Sequence, residues 1–284
     1  MPNANDNTSG RRLDGRAVVA VLGPETRKLL QGLLTADLGR LDRQAAVPAA
    51  LLSPQGKILV EMLVVGHGDG VLLDVPAGEL ASLVKRLTLY KLRAKVEIAD
   101  RTSDLAVVWC PAGDGFTDPR HPGLGRRAIV AASAAGSPAD EAYDVRRIGL
   151  GIAEQGADYG ATEVFPHEAN LDQLGGVDFD KGCYVGQEVV SRIQHRGTAR
   201  SRFVPVAADT GLPERGTPVT AGGRAIGAMG SHQGRNGLAL IRLDRLADAV
   251  ASGHRPEAAG SALTVIRPDW ARFDIAGAVR GDAA

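Results

Sequence analysis

Asp180-Lys181-Gly182-Cys183-Tyr184-Val185-Gly186-Gln187-Glu188, running on through Val189-Val190-Ser191-Arg192 to His195-Arg196-Gly197, is the stretch around which the rest of the chain reads. It places two glycines, a thiol, an ammonium, a phenol and a carboxamide beside a carboxylate in one short run. Gly182 and Gly186 permit positive φ or a close backbone approach. The apolar pair Val189-Val190 behind Gln187-Glu188 predicts a helix that opens just after Gly186. A loop held over a helix start presents unpaired N–H groups to a ligand. On residue chemistry alone, two readings stand: a ligand-facing site, or a tight turn enclosing a cysteine that behaves as a small hydrophobe.

The surrounding composition limits what such a site can be. At 284 residues, with 44% hydrophobic and 23% charged residues, the chain has the makeup of an ordinary globular protein with room for two or three small cores. Lys+Arg and Asp+Glu are equal at 33 each, so no global field draws it to nucleic acid or to an anionic membrane, and any anion binding must be local. Cys110 and Cys183 are the only cysteines, too few for a zinc cluster or a self-held iron–sulfur centre, and they fit a reducing, cytoplasmic setting. Cys110 closes the apolar run Leu105-Ala106-Val107-Val108-Trp109 and reads as a strand residue without chemistry. No apolar stretch reaches the ~20 residues of a membrane span, and residues 1–14 read as a polar, flexible tail.

Upstream of the stretch, strand and helix patterns alternate. Ala17-Val18-Val19-Ala20-Val21-Leu22 is a continuous apolar strand stopped by Gly23-Pro24, and Leu29, Leu30, Leu33 and Leu34 then follow helical spacing. Strands are expected over 49–52 and 58–65 around the turn Ser53-Pro54-Gln55-Gly56-Lys57, and again over 71–75. A helix over 78–92 ends in Tyr90-Lys91-Leu92-Arg93, and a strand follows over 94–98. Residues 101–135 give a strand and then a loop over 113–127, and a helix is expected over 142–150. Downstream, short strands near 203–206, 217–219, 225–230, 238–242 and 263–266, separated by Gly, Asp and Pro turns, suggest a small antiparallel barrel over 203–284.

Lys181-Gly182-Cys183-Tyr184-x-Gly186-Gln187-Glu188, with Arg192 and His195-Arg196-Gly197-Thr198, resembles the signature of the folate-binding YgfZ family, relatives of the aminomethyltransferase (T-protein) of glycine cleavage. The run from Gly23 to Leu41, Tyr90-Lys91-Leu92-Arg93-x-Lys95-Val96 and Val164-Phe165-Pro166-His167-Glu168-Ala169-Asn170-Leu171-Asp172 carry the same likeness, which spans roughly residues 15–205. Ala36 stands where that family has an asparagine. The cations of the Tyr90 motif are equally well explained as a helix C-terminus favoured by the macrodipole.

The resemblance implies an α+β fold: an aminomethyltransferase-like folate-binding region of two interleaved subdomains over 15–202, and a C-terminal antiparallel β-barrel, around a central pocket. It implies tetrahydrofolate or another reduced folate as cofactor, and a role in assembly or repair of iron–sulfur clusters in client enzymes. The implied partners are iron–sulfur client or assembly proteins, with no direct nucleic acid and no membrane. A flat pterin wants an acid or amide, apolar walls, and cations for its glutamate tail. Glu168 and Asn170 are the candidates at the pterin, and Lys181, Arg192 and Arg196 are the candidate tail or loop anchors, the arginines being the better forks for a carboxylate. Gly182, Tyr184, Gly186, Gln187 and Glu188 complete the candidate ligand-facing set.

Cys183 is the candidate reactive thiol, as nucleophile or transient cluster ligand, with Lys181 and the helix start expected to favour its thiolate. Aminomethyl transfer is the weaker alternative. Where aminomethyltransferases carry acids in the strand after the turn, this chain has Val60 and Glu61, and alternation keeps one acid from facing both ways. A non-catalytic client-binding adaptor is the other alternative.

Overall fold

The computed structural model describes residues 10–139 and 141–281, so most of the expected tail lies outside the described residues. The chain divides into two compact units that interleave along the sequence: residues 1–30, 38–47 and 62–140 form one, and 31–37, 48–61 and 141–284 the other. It crosses between them within the strands Ala46–Leu52 and Ile58–His67. Residues 203–284 fall in the second unit.

In the first unit, Arg16–Leu22 pairs antiparallel with Gly70–Pro76 on one side and Glu97–Asp100 on the other. Gly70–Pro76 in turn pairs with the end of Ile58–His67. Ala17 through Val21 are all buried, as a continuous apolar run in a strand demands. Helix Leu80–Lys91 buries Leu83 and Leu87 on its inner face. A second sheet takes Arg11–Arg12 beside Leu105–Cys110, which pairs with Arg126–Ala131. Arg11 and Arg12, read from sequence as part of a flexible tail, are therefore strand residues: their backbone continues the edge of that sheet. The buried charges of this unit are paired. Asp74 receives Arg127 at 2.7 Å and Arg16 at 2.5 Å, and Asp118 holds Arg120 at 2.7 Å.

The helix expected to run to Leu34 is confined to Thr26–Gln31. Beyond it the chain enters the second unit, where Leu34 bridges Leu51 and the Thr35 hydroxyl both accepts from the Ala50 N–H (2.8 Å) and donates to the Gly176 carbonyl (2.6 Å). Sheet hydrogen bonds there override helical spacing.

The second unit holds the curled C-terminal sheet. Ser201–Ala207 pairs along its whole length with Asn236–Arg242, which pairs with Arg224–Gln233, which pairs with Pro218–Ala221. Val204, Val206, Val219, Ile226, Met229, Ile241 and Val265 fill its interior. Two features depart from expectation. The strand Thr264–Arg267 pairs parallel with Val279–Arg280, so the sheet is not antiparallel throughout. Helix Leu243–Ala251 closes the sheet through buried Leu246, with Leu243 and Val250 packed beside it; their i, i+3, i+7 spacing is a helical stripe that the all-strand reading of this region passed over. A second core joins Phe203 and Leu238 of this sheet to Tyr184 and Val190 of the signature region, and that shared core fixes where the signature sits.

Candidate functional site

The signature loop is held by its own polar groups. Lys181 Nζ donates to the carbonyls of Gln31 (2.7 Å), Leu34 (2.7 Å) and Ala36 (2.8 Å), one acceptor for each N–H of an ammonium. Burial pulls this lysine down to about 8 against the opposing pull of Asp37 and Asp178, while three carbonyl acceptors favour the charged form. The ammonium also lies 5.2 Å from the Tyr184 ring centroid. Gly186 stands at φ +81° immediately before helix Gln187–Arg196, and a Cβ there would meet the Ser53 carbonyl at 2.5 Å. Only glycine fits. Gln187 Oε1 turns back to accept the Tyr184 N–H at 3.2 Å.

Cys183 is different from its neighbours: the thiol is free and exposed on the crest of this loop. Gly182 is also exposed, lies outside the left-handed region, and has open space where a Cβ would go. The close approach expected of it is made by Gly186 instead.

Behind the loop lies the segment containing Glu168. Its Oε2 accepts the Phe165 N–H at 2.8 Å and lies 3.5 Å from Lys57 Nζ, which donates to the Glu163 carbonyl and covers the Phe165 ring at 3.8 Å. Lys57 belongs to the turn that packs against Gly186 and Val189 through Gly56, so the turn couples Glu168 to the signature. Glu168 keeps its side chain 20% exposed. Nothing in the sequence pattern singled out Lys57, since a lysine after Gly56 in a turn is ordinary.

Asn170 does not sit at a ligand surface. It is fully buried at φ +60°, donating to the Phe203 carbonyl (2.8 Å) and accepting from Arg202 (3.1 Å). Its amide fixes a left-handed bend. Arg202, which sequence reasoning passed over, grips both oxygens of Asp172 at 2.9 Å and the His167 carbonyl at 2.9 Å. Of the two roles open to Lys181, tail anchor or loop anchor, its main-chain carbonyl acceptors give the second.

Arg192 and Arg196 are exposed, four residues apart and hence adjacent on one helix face, as a carboxylate anchor requires. Glu188 is exposed in the first turn. Two buried polar atoms here have no hydrogen-bond partner among the described residues: the Tyr184 hydroxyl and His167 Nδ1. Burial raises the Tyr184 phenol to about 12 and lowers His167, whose Nε2 meets Gln194 at 3.1 Å. Such atoms are uncommon in a folded chain.

Glu61, the acid nearest the position that aminomethyltransferases use, is 5% exposed. It is hydrogen-bonded to the Tyr159 hydroxyl and accepts the Gln155 N–H at 3.2 Å. Val60 beside it is wholly buried. Among the described residues, no group of three or more His, Cys, Asp or Glu is placed to hold a metal ion, and no helix is long and apolar enough to cross a membrane.

Comparison with known proteins adds four findings. A family model described as the CAF17 C-terminal beta-barrel domain matches residues 200–273. The chain is 34% identical to the iron–sulfur cluster assembly factor IBA57 homolog, mitochondrial, of Mycosarcoma maydis, covering 89% of this chain and 70% of that one. It is 32% identical to the mouse iron–sulfur cluster assembly factor IBA57, mitochondrial, covering 91% of this chain and 84% of that one. Among solved structures, the glycine cleavage system aminomethyltransferase T from Bartonella henselae superposes with a TM-score of 0.70 over 93% of this chain and 88% of its own, at 15% identity. At that identity the likeness shows the fold, and it bears out the α+β aminomethyltransferase-like architecture with its C-terminal barrel. The relatives' names correct the cytoplasmic placement, because they point to the mitochondrion. Two cysteines report reducing conditions and do not distinguish one reducing compartment from another.

Proposed function

The chain belongs to the IBA57 family of iron–sulfur cluster assembly factors, and from that premise we propose that it supports the assembly or repair of iron–sulfur clusters in client proteins, with Cys183 as the residue that meets the cluster. One observation carries this reading. Lys181 and Gln187 Oε1 are committed to holding the loop and Tyr184 is buried, and the exposed side chain on its crest is a free thiol. One thiolate cannot hold a cluster alone, so the remaining ligands belong to a partner, and the cluster is cargo.

The reduced folate belongs to the same proposal. The residues suit it in part: Glu168 is half-buried with Oε1 unpaired, the Tyr184 hydroxyl and His167 Nδ1 are buried without partners, and Arg192 and Arg196 offer exposed forks. Asn170 and Lys181 leave the ligand-facing set. Glu168 would accept from the donors of the pterin, and the arginines would take the carboxylates of the tail. When bound, such a folate supplies a carrier for one-carbon units. Aminomethyl transfer remains the lesser reading, since Glu61 is turned to Tyr159 and Gln155.

Deleting the gene should lower the activity of iron–sulfur enzymes in the cell, and expressing this chain should restore it. Restoration by an empty vector, or no loss on deletion, would remove the assembly role. Titration with tetrahydrofolate should give a dissociation constant near 1 μM, roughly −8 kcal/mol. Glu168→Ala should weaken it by about 1–3 kcal/mol. Absence of heat and of thermal shift with any reduced folate would remove folate and leave the cluster role standing.

A further inference from the structure

Helix Leu80–Lys91 of the first unit ends in a turn that breaks two rules at once. Leu92 has φ +47° and ψ −108°, close to the first central position of a type II′ turn, and the Ala94 N–H closes that turn on the Lys91 carbonyl at 2.8 Å. Glycine is the residue for that position, and a leucine there is strained. The same leucine is 86% exposed, beside Leu89 at 67% and Tyr90 at 36%. Folding gains nothing from either property.

The surrounding structure holds the turn in place. The Lys95 N–H is fixed by Glu25 Oε2 at 2.7 Å, and the Lys95 carbonyl approaches so near Gly23 that a Cβ there would stand 2.5 Å away. Strain that is over-determined in this way points to use. Five cations lie between Lys85 and Lys95, and the side chains of Lys91, Arg93 and Lys95 have no hydrogen-bond or ion-pair partner among the described residues. Nearby acids are Glu25, Asp69 and Glu97. The last two share a hollow of about 520 Å³ with Lys91 and Lys95, and the Leu89–Arg93 crest itself carries no acid.

We infer that the Leu89–Arg93 crest is a docking surface for a protein whose surface offers an apolar recess rimmed by Asp and Glu. Leu92 enters the recess, and Lys91 and Arg93 meet the rim. The strained turn favours a protein over a membrane: a rigid, pre-set side chain gains affinity from a shaped recess, whereas a fluid bilayer has no use for its exact placement. The inference stands on the first unit alone and does not depend on Cys183 or on folate.

The test places a photo-crosslinking p-benzoylphenylalanine at Leu89 in the full chain, expressed in the cells that make it. One discrete protein adduct is expected, with the crosslinked peptide rich in Asp and Glu when located by mass spectrometry. Leu92→Gly and Arg93→Glu should each cut its yield by about tenfold or more, the mark of an interface anchor. Val145→Ser, at an exposed valine of the second unit, should leave the yield unchanged. Leu92→Gly should also raise the melting temperature, because glycine relieves the turn, so loss of the adduct cannot be laid to misfolding. The inference is overturned by no adduct, by an adduct on a surface without acids, or by one that both variants leave intact. Leu92-dependent sedimentation with vesicles of three parts phosphatidylcholine to one part phosphatidylglycerol would overturn it in favour of a lipid surface.

Discussion

Two lysine-bearing motifs, Lys181-Gly182-Cys183-Tyr184 and Tyr90-Lys91-Leu92-Arg93, look alike on paper: each is short, cationic, aromatic, and set at a helix boundary. In the folded chain they are opposites. Lys181 donates to three main-chain carbonyls while Tyr184 is buried. Among the described residues, the side chains of Lys91 and Arg93 have no polar partners, and Leu92 and Leu89 have no apolar cover sufficient to bury them. In the first motif the charge builds a platform and leaves one sulfur on top. In the second the backbone builds the platform and leaves the charges and apolar groups themselves. A cation in a motif thus has two meanings, and what separates them is whether carbonyl oxygens lie within reach.

The sharpest break of this contrast is Lys181→Met. Three carbonyls lose their donors at once, and at about 1 kcal/mol net per bond the expected loss is about 2–4 kcal/mol in denaturant unfolding. Lys91→Met, by contrast, should stay within about 0.5 kcal/mol. An equal effect of the two would erase the distinction. The pH dependence gives a second reading of Lys181, whose ammonium is held at about 8 where an ordinary lysine sits at 10.5. Between those values the unfolded chain binds more protons than the folded one, so this group's contribution to stability rises with pH across that window and is flat below it. The rise should vanish in Lys181→Met. A parent curve without it would mean that the three carbonyls outweigh burial and keep the ammonium charged.

The motif, the strands and the barrel were legible in the sequence because each rests on local pattern: apolar runs, a helix behind Gly186, short strands between turns. What escaped depends on contacts far apart in the chain. Asn170 and Glu168 are two residues apart in one motif, and no spacing rule tells that Arg202 and the Phe203 carbonyl enclose one while Lys57 holds the other at a half-open edge. Whether Lys181 anchors a folate tail or the loop itself was open in the sequence for the same reason, its acceptors lying some 150 residues earlier. The Ala36 carbonyl is one of those acceptors, so the residue that departs from the family's asparagine still contributes through its main chain.

The two glycines of the signature refine the platform idea at finer scale. Gly186→Ala forces a side chain into the left-handed region and against the Ser53 carbonyl, so about 2–3 kcal/mol of stability should be lost. Gly182→Ala meets open space on ordinary backbone and should change stability by no more than about 0.5 kcal/mol. If Gly182→Ala nonetheless abolishes rescue of iron–sulfur enzymes while folding normally, the crest around Cys183 is a contact surface. If Gly186→Ala costs nothing, the helix start is not the rigid support described here.

Cys183→Ser should have little effect on folding and the largest effect on function. The thiol is exposed, so exchanging sulfur for oxygen strands no hydroxyl among apolar neighbours, and the change in stability should stay under ~1 kcal/mol. Cys110 is the internal contrast: it is buried in its strand, with its thiol pushed up by burial, and the same exchange there should cost about 1–3 kcal/mol. Iodoacetamide at neutral pH should accordingly label Cys183 in the folded chain and reach Cys110 only on unfolding. Cells that lack the native gene then decide what the exposed sulfur does. If Cys183→Ser melts with the parent and fails to restore iron–sulfur enzyme activity, the platform exists to present that atom. If it restores activity in full, the Lys181–Gln187 loop is a rigid turn whose sulfur has no part in cluster assembly, and the first of the two motifs loses the role that separates it from the second.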